Sequence, residues 1–252
     1  HAASAYYPSP FEEAAIVTLD GVGEWSTASI GWGRGSDLRL IREQRYPDSI
    51  GLFYTAMTTY CGFDANDGES KLMGLAPFGR PVYADALADR VIQIGPDGSV
   101  ALDQRWFRYL GGEAMTHPRL AEVLDGPPRD PKRPLTQREA DIAASAQLLL
   151  ERVVLRTAFE AHRLTGHRAV CLAGGVALNV AANRRLREDG PFDDVWVQPA
   201  PSDAGGSLGA ALWAAHALAG HPRPAPTGDG MSGALLGPSY ESEATGRGLA
   251  EP

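Results

Sequence analysis

The amino-acid sequence predicts an α/β fold whose elements follow the order βββαβαβα, with a long insertion after the first helix. Two observations carry this prediction. The chain opens with three short apolar segments separated by turn residues, as in an antiparallel meander. In the second half, apolar strand segments alternate with helical segments, a pattern typical of a sheet with parallel strands.

The meander comes first. Its apolar segments predict strands at 14–19, 26–32 and 38–43. The turn Asp20-Gly21-Val22-Gly23 follows the first strand, and a glycine-rich hairpin loop separates the other two. The next segment, 50–61, is apolar on most sides, with Ser49 as a possible N-cap and Gly62 at its end. It is therefore predicted to be a largely buried helix.

The predicted insertion covers residues 63–135, where glycine and proline are frequent and elements are short. Within it, a helix is predicted at 83–94, and Asp97-Gly98 is interpreted as a turn between short strands. The insertion ends where Thr136-x-x-Glu forms a capping box that opens a long helix, which continues to Gly166.

Beyond that helix, the order strand, helix, strand, helix is predicted at 169–173, 178–187, 195–198 and 210–219. The full order is that of a ribonuclease-H-like lobe, the unit of the acetate kinase, sugar kinase, Hsp70 and actin architecture. Residues 1–220 are interpreted as one such lobe, and 221–252 as a linker or irregular tail. The predicted core draws on strand residues, namely Ile16, Val17, Leu19, Leu172, Val195 and Val197.

The composition excludes several classes of protein. The 252 residues include 23 basic and 31 acidic side chains, a net charge of -8, so neither nucleic acid nor an anionic membrane is an expected partner. No apolar run approaches the roughly 20 residues that cross a bilayer. Cys61 and Cys171 lie in apolar stretches and are interpreted as buried reduced thiols, which fits a cytoplasmic protein.

A glycine pair connects the strand at 169–173 to the next helix. Gly174 and Gly175 would let backbone N–H groups approach a phosphate, at the start of a helix whose dipole favours an anion. Asn179 follows in the first turn, where its amide could reach a phosphate or a ribose hydroxyl. The alternative is a turn that only packs strand on helix, and the sequence leaves both open.

Two aspartates follow predicted strands. Asp203 lies where the chain leaves the sheet's carboxyl edge, the usual place for ligand groups, although an aspartate there can also be a helix N-cap. Gly205 repeats the glycine-turn pattern after it. Asp20, followed by Gly21 and Gly23, could hold a metal or orient a phosphate, or could belong to an ordinary hairpin turn.

A second charged segment lies in the insertion. Glu69 and Lys71 are placed on a glycine-flanked loop, and Lys71 is one of two lysines in the chain. Lys71 could pair with Glu69 or offer a point charge to a phosphate; the alternative is a solvated loop with one surface ion pair.

Four segments together resemble the O-carbamoyltransferase family of antibiotic and nodulation-factor biosynthesis: HAASAYYPSPFEEAAIVTLDGVGEW, YCGFDANDGESKLMGLAPFGRPVY, LAGGVALNVAANRRL and VWVQPAPSDAGGSLGAAL. The resemblance is collinear from His1 to about Tyr240. Members resemble the enzyme of tRNA threonylcarbamoyl-adenosine synthesis in this part. They have a two-lobed kinase/Hsp70/actin-like region followed by an adenylate-forming domain.

The resemblance implies a reaction and a site. Carbamoyl adenylate would be made from carbamoyl phosphate and ATP, and the carbamoyl group passed to a hydroxyl of a small natural product. His1, Asp20 and Asp203 match the family's catalytic metal ligands, for iron(II), magnesium or manganese. The implied cofactor-binding residues are Gly21, Gly23, Glu69, Lys71, Gly174, Gly175, Asn179 and Gly205.

The same resemblance implies that these residues cover mainly the second lobe, with the first lobe and the adenylate-forming domain absent. We therefore expect this lobe to pack against the missing lobe or to self-associate. Two alternatives are a kinase or ATPase of the same superfamily, and a noncatalytic nucleotide-binding lobe that needs partner segments.

Overall fold

The computed structural model describes residues 1–112 and 114–239, and it is organised around a five-stranded mixed sheet. The strands are β1 (Glu13–Leu19), β2 (Ser26–Arg34), β3 (Asp37–Arg45), β4 (Ile92–Ile94), β5 (Val100–Leu102), β6 (Ala169–Ala173) and β7 (Asp194–Val197). The helices are α1 (Ala2–Tyr6), α2 (Ile50–Tyr60), α3 (Glu69–Leu75), α4 (Ala84–Arg90), α5 (Gln137–Thr165), α6 (Val180–Asp189) and α7 (Gly206–Trp213).

The main sheet has the strand order β3-β2-β1-β6-β7. β1 pairs antiparallel with β2 and parallel with β6, and β6 pairs parallel with β7. Helices cover both faces of β1, so successive side chains enter different clusters: Ile16 packs with α1, and Val17 with the larger core beneath α2 and α5. The predicted α/β fold and its ribonuclease-H-like element order are confirmed.

The insertion follows α2 and contains α3, α4 and the β4–β5 hairpin, before α5 returns the chain to the sheet. The hairpin turns at Asp97-Gly98 as predicted. The helix predicted at 83–94 was too long, because Ile92–Ile94 pairs with β5 and leaves the helix at Arg90. The segment of Glu69 and Lys71 is not a loop but the first turn of α3. An acidic side chain at this position interacts favourably with the helix dipole.

The predicted core is confirmed in the central strands. Ile16, Val17, Leu19 and Leu172 are buried, whereas the two valines of β7 are half-buried because that strand lies at the sheet's edge. Both cysteines are free and buried, and burial raises the pKa of each thiol to about 12.

The segment 221–239 runs without strands, with one 3-10 turn at Ser232–Ala234, and the rest of the predicted tail, 240–252, lies outside the described residues. Among the described helices, none is both long and apolar enough to cross a membrane.

Helix α5 begins at the predicted capping box. The carboxylate of Glu139 accepts hydrogen bonds from the Thr136 N–H (3.0 Å) and hydroxyl (2.6 Å), and Gly166 ends the helix in the left-handed conformation.

Replacing Glu139 should therefore destabilise the fold. We expect Glu139→Ala to lower the free energy of unfolding by about 1–3 kcal/mol, because it leaves the Thr136 N–H without its acceptor. Glu139→Gln keeps an acceptor oxygen and should lose less. Urea unfolding followed by circular dichroism measures both; an unchanged free energy of unfolding in Glu139→Ala would show that the cap contributes nothing.

Candidate metal and nucleotide site

Three side chains that are distant in sequence meet at the carboxyl end of the parallel strands. Asp20 directly follows β1, and Asp203 lies in the segment after β7. His1 reaches them as the N-cap residue of α1. One ligand atom from each of these three residues lies within 4.8 Å of the others.

The imidazole of His1 lies between the two carboxylates. Its Nε2 is 2.9 Å from Asp20 Oδ2 and 3.6 Å from Asp203 Oδ1. The side chains of His1 and Asp20 are 17% and 15% exposed, whereas that of Asp203 is 98% exposed. The site thus combines a largely buried pair, His1 and Asp20, with the fully exposed carboxylate of Asp203.

Electrostatics favour a charged pair. The hydrogen bond to Asp20 raises the pKa of His1, against the effect of burial, and the charges of Asp20 and Asp203 add to the rise. Burial alone would raise the pKa of Asp20, but hydrogen bonds from His1 and from the Gly175 and Gly21 N–H groups outweigh it and lower that pKa. The Asp20 carboxylate therefore stays ionised, and with the Asp203 carboxylate beside it this position attracts a cation.

The donor set fits a divalent metal ion. One imidazole nitrogen and two carboxylate oxygens suit iron(II), manganese or magnesium. His1 Nδ1 is buried and has no hydrogen-bond partner among the described residues, whereas Nε2 faces the carboxylates of Asp20 and Asp203. Asp203 does not cap α7, whose N-cap is Gly205, and its carboxylate stays available.

Helix α1 is positioned by contacts that the sequence analysis missed. A Cβ at Gly209 would lie 2.9 Å from both Cβ and N of Ser4, so α7 approaches α1 closely because residue 209 is glycine. The buried Gln198 side chain donates to the Ser4 carbonyl, and Ser4 Oγ donates to the His1 carbonyl at 2.8 Å. A glycine inside a helical segment and a glutamine ending a strand were the available signals.

The glycine pair divides into two roles. Gly174 has φ +92°, and a Cβ there would lie 2.2 Å from the Leu19 carbonyl oxygen, while its N–H donates to Pro201 O at 2.6 Å. Packing of the turn against β1 therefore accounts for glycine at 174. The Gly175 N–H donates to Asp20 Oδ1 at 3.0 Å, so it orients the candidate metal ligand.

Asn179 is committed to the protein interior. It is the N-cap of α6 rather than a first-turn residue, and its Oδ1 accepts from the Ala182 N–H at 2.9 Å. Its amide also exchanges hydrogen bonds of 2.9 and 3.0 Å with Gln147, which accepts from the Tyr54 hydroxyl. Asn179 thus fixes the start of α6.

The other predicted glycines differ in their surroundings. A Cβ at Gly205 would lie 2.2 Å from the Ala200 carbonyl oxygen, which indicates close backbone packing. Gly23 has φ +55°, and a Cβ there would lie 3.3 Å from Asp20 Oδ2, so the turn folds tightly over that carboxylate. A Cβ at Gly21 would meet nothing within 4 Å, which leaves space beside Asp20.

Glu69 and Lys71 do not pair with each other. Lys71 Nζ lies 2.8 Å from Asp67 Oδ2, an exposed pair on the surface. Glu69 Oε1 accepts from Thr55 Oγ1 at 2.7 Å and from the Asn66 N–H at 3.1 Å. Glu69 therefore joins α3 to α2, and the interactions of these two residues include none with the three candidate metal ligands.

Comparison with known proteins places the chain among carbamoyltransferases and nodulation proteins. A family model described as Carbamoyltransferase N-terminus matches residues 1–212. The uncharacterized protein sll1178 of Synechocystis is 47% identical over 96% of this chain and 40% of its own length. The nodulation protein NolO of Bradyrhizobium diazoefficiens is 37% identical over 90% of this chain and 38% of its own.

A further relative is the nodulation protein NolNO of Sinorhizobium fredii, 36% identical over 86% of this chain and 30% of its own. The crystal structure of HypF from T. kodakarensis matches with a TM-score of 0.44 and 18% identity, over 87% of this chain and 36% of that chain. The chain thus spans less than half the length of these relatives.

The family match covers every residue of the candidate metal site. The resemblance found in the sequence is confirmed: the chain belongs to the carbamoyltransferase family of enzymes.

Proposed function

We propose that the protein is an ATP-dependent O-carbamoyltransferase that uses carbamoyl phosphate, by way of carbamoyl adenylate, to carbamoylate a hydroxyl of a natural product. The observation that carries the proposal is the convergence of His1, Asp20 and Asp203 in a chain matching the carbamoyltransferase N-terminus. A cytoplasmic location, where ATP is available, is part of the proposal.

The chain's own residues prepare the site for a metal–nucleotide complex. A divalent ion bound there would offset the negative charge of the nucleotide phosphates and of the leaving group. The Gly175 N–H holds one oxygen of Asp20 and His1 holds the other, so the carboxylate has a fixed orientation before anything binds. Such fixed orientation reduces the reorganisation needed during the reaction.

Space beside the carboxylates supports a bulky phosphate ligand. A Cβ at Gly21 or at Gly206 would meet nothing within 4 Å, and one at Gly175 would meet only Asp20 Oδ1, at 3.0 Å. Acyl transfer would then form a bond from the acceptor oxygen to the carbamoyl carbon and break the bond from that carbon to the AMP phosphate oxygen. AMP leaves, and the hydroxyl proton is released to solvent. In the same proposal, the first lobe of the kinase/Hsp70/actin-like region closes the cleft over the nucleotide.

Asp20 should be indispensable for metal binding. We expect Asp20→Asn to weaken Mn²⁺ binding by more than about 100-fold, because losing even a residue that only orients a ligand costs about 10–100-fold. Asp194→Asn, an exposed aspartate on β7, is the matched control and should leave the dissociation constant unchanged. Calorimetric titration measures both. Full Mn²⁺ affinity in Asp20→Asn would exclude this site.

The two adjacent glycines should fail in different ways. Gly174→Ala should destabilise the fold, by about 1–3 kcal/mol from backbone strain alone, because φ is +92° and its Cβ would strike β1. Gly175→Ala should fold but displace Asp20 Oδ1, and weaken Mn²⁺ and ATP binding about tenfold or more. Gly74→Ala, inside α3 and with open space around its Cβ, is the control and should leave both binding constants unchanged. Unchanged binding in Gly175→Ala and in the bulkier Gly175→Val would show that this turn serves packing alone.

Product analysis distinguishes carbamoyl transfer from phosphoryl transfer. The full-length protein, incubated with carbamoyl phosphate, ATP and a panel of alcohols, should form AMP in step with a carbamate ester. A kinase or ATPase would form ADP and would ignore carbamoyl phosphate. Release of ADP without a carbamoylated product would contradict the proposed function.

A further inference from the structure

Arg223 lies outside the segment that matches the family, in the stretch without strands that follows α7. Its guanidinium donates hydrogen bonds to four backbone carbonyls, those of Tyr6 (3.2 Å), Tyr7 (2.9 Å), Ser9 (2.9 Å) and Phe11 (2.8 Å). It also donates to the Tyr6 hydroxyl at 3.1 Å and lies 4.4 Å from the centroid of that ring.

These carbonyls belong to the end of α1 and the turn after it. The last carbonyls of a helix have no partner inside the helix, and a cation near them is favourable. The planar guanidinium can reach several of them at once, which a lysine ammonium cannot do in the same way. Arg223 therefore fastens the C-terminal end of α1.

The stretch that carries Arg223 is itself anchored. The Arg223 N–H donates to Ser36 Oγ at 2.7 Å, in the turn between β2 and β3. Farther along, the Gly230 N–H donates to Pro8 O at 2.8 Å, and Met231 is buried. The segment that carries Arg223 is thus attached to the turn between β2 and β3. Through its guanidinium, α1 is linked to the sheet.

His1 lies at the other end of the same helix. Helix α1 has five residues, so its two ends are separated by roughly 7 Å at 1.5 Å per residue. A helix this short is not stable alone and takes its position from its surroundings. The Ala5 N–H donates to the His1 carbonyl at 2.9 Å. This hydrogen bond ties the backbone of His1 to the helix, so a shift of the helix would move His1.

We propose that Arg223 is a positioning residue for the candidate metal centre: by holding the end of α1, it keeps the His1 imidazole beside Asp20 and Asp203. This inference rests on the metal site of the proposed function. Gly209 and Gln198 fix the middle of α1, and Arg223 fixes its end, so loss of Arg223 lets the helix shift without removing a metal ligand.

Arg129 provides a matched control. Its guanidinium also donates to several backbone carbonyls, including those of Cys61 (2.6 Å) and Gly62 (3.1 Å), and it lies 5.6 Å from the centroid of the Phe63 ring. These contacts are at the end of α2 and not on α1. Arg129→Ala therefore removes a similar set of bonds and reports the effect of lost stability alone.

The test is Mn²⁺ binding by the full-length protein, measured from the electron paramagnetic resonance signal of free Mn²⁺. Arg223→Ala should weaken binding about 10–100-fold, Arg223→Lys should restore only part of it, and Arg129→Ala should stay within about twofold of wild type. In a His1→Ala background, Arg223→Ala should cause no further loss, because its effect passes through His1.

Two results would overturn the proposal: unchanged Mn²⁺ affinity in Arg223→Ala, or an equal loss in the His1→Ala background. Hydrogen exchange provides a readout that needs no metal, since Arg223→Ala should speed exchange of the Ala5 and Tyr7 amides, which bond within α1. A wild-type protein that binds no Mn²⁺ would instead overturn the metal site itself, with the exchange result then showing whether Arg223 holds α1.

Discussion

The carboxylate of Asp20 is the point at which separate parts of the chain meet. Its Oδ2 contacts His1 from α1, its Oδ1 accepts from Gly175 after β6, and Asp203 from beyond β7 approaches the same imidazole. Each partner comes from a different element of the fold. The contacts of Asp20 therefore depend on the relative positions of β1, β6, β7 and α1. Hydrogen bonds to both oxygens keep the carboxylate ionised despite its partial burial.

Close backbone packing secures the end of β1. A Cβ at Gly51 would lie 2.5 Å from the Asp20 carbonyl oxygen, and one at Gly174 would lie 2.2 Å from that of Leu19. Ser49 Oγ donates to the Asp20 carbonyl at 2.9 Å while also capping α2. Helix α2 and the glycine turn thus pack against one short stretch of backbone, and these short distances require glycine at positions 51 and 174.

The sequence predicts the fold well where a local signal exists. Period-two and helical patterns place the central strands, the capping box at Thr136 places the start of α5, and Gly166 places its end. Helix α1 was missed because five residues give too little periodicity. The segment around Glu69, predicted as a loop, is the start of α3, and its Glu69 carboxylate accepts a hydrogen bond from Thr55 of α2 that the local pattern does not reveal.

The site illustrates the same limit. Motif resemblance names His1, Asp20 and Asp203, whose convergence depends on tertiary structure that no spacing in the chain encodes. It also implies that Gly174 binds a phosphate, which stays a prediction, while the conformation of Gly174 and its contact with Leu19 already require a glycine for packing. Arg223 carries no motif, and its role becomes visible only when the carbonyls around it are in place.

The central claim is that these three side chains bind one divalent ion. Anomalous diffraction at the manganese edge, from crystals of the full-length protein grown with Mn²⁺, tests it most directly. We expect one anomalous peak with His1, Asp20 and Asp203 ligand atoms at roughly 2.0–2.6 Å from it. A peak elsewhere, or none at this position while the side chains stay as described, would contradict it.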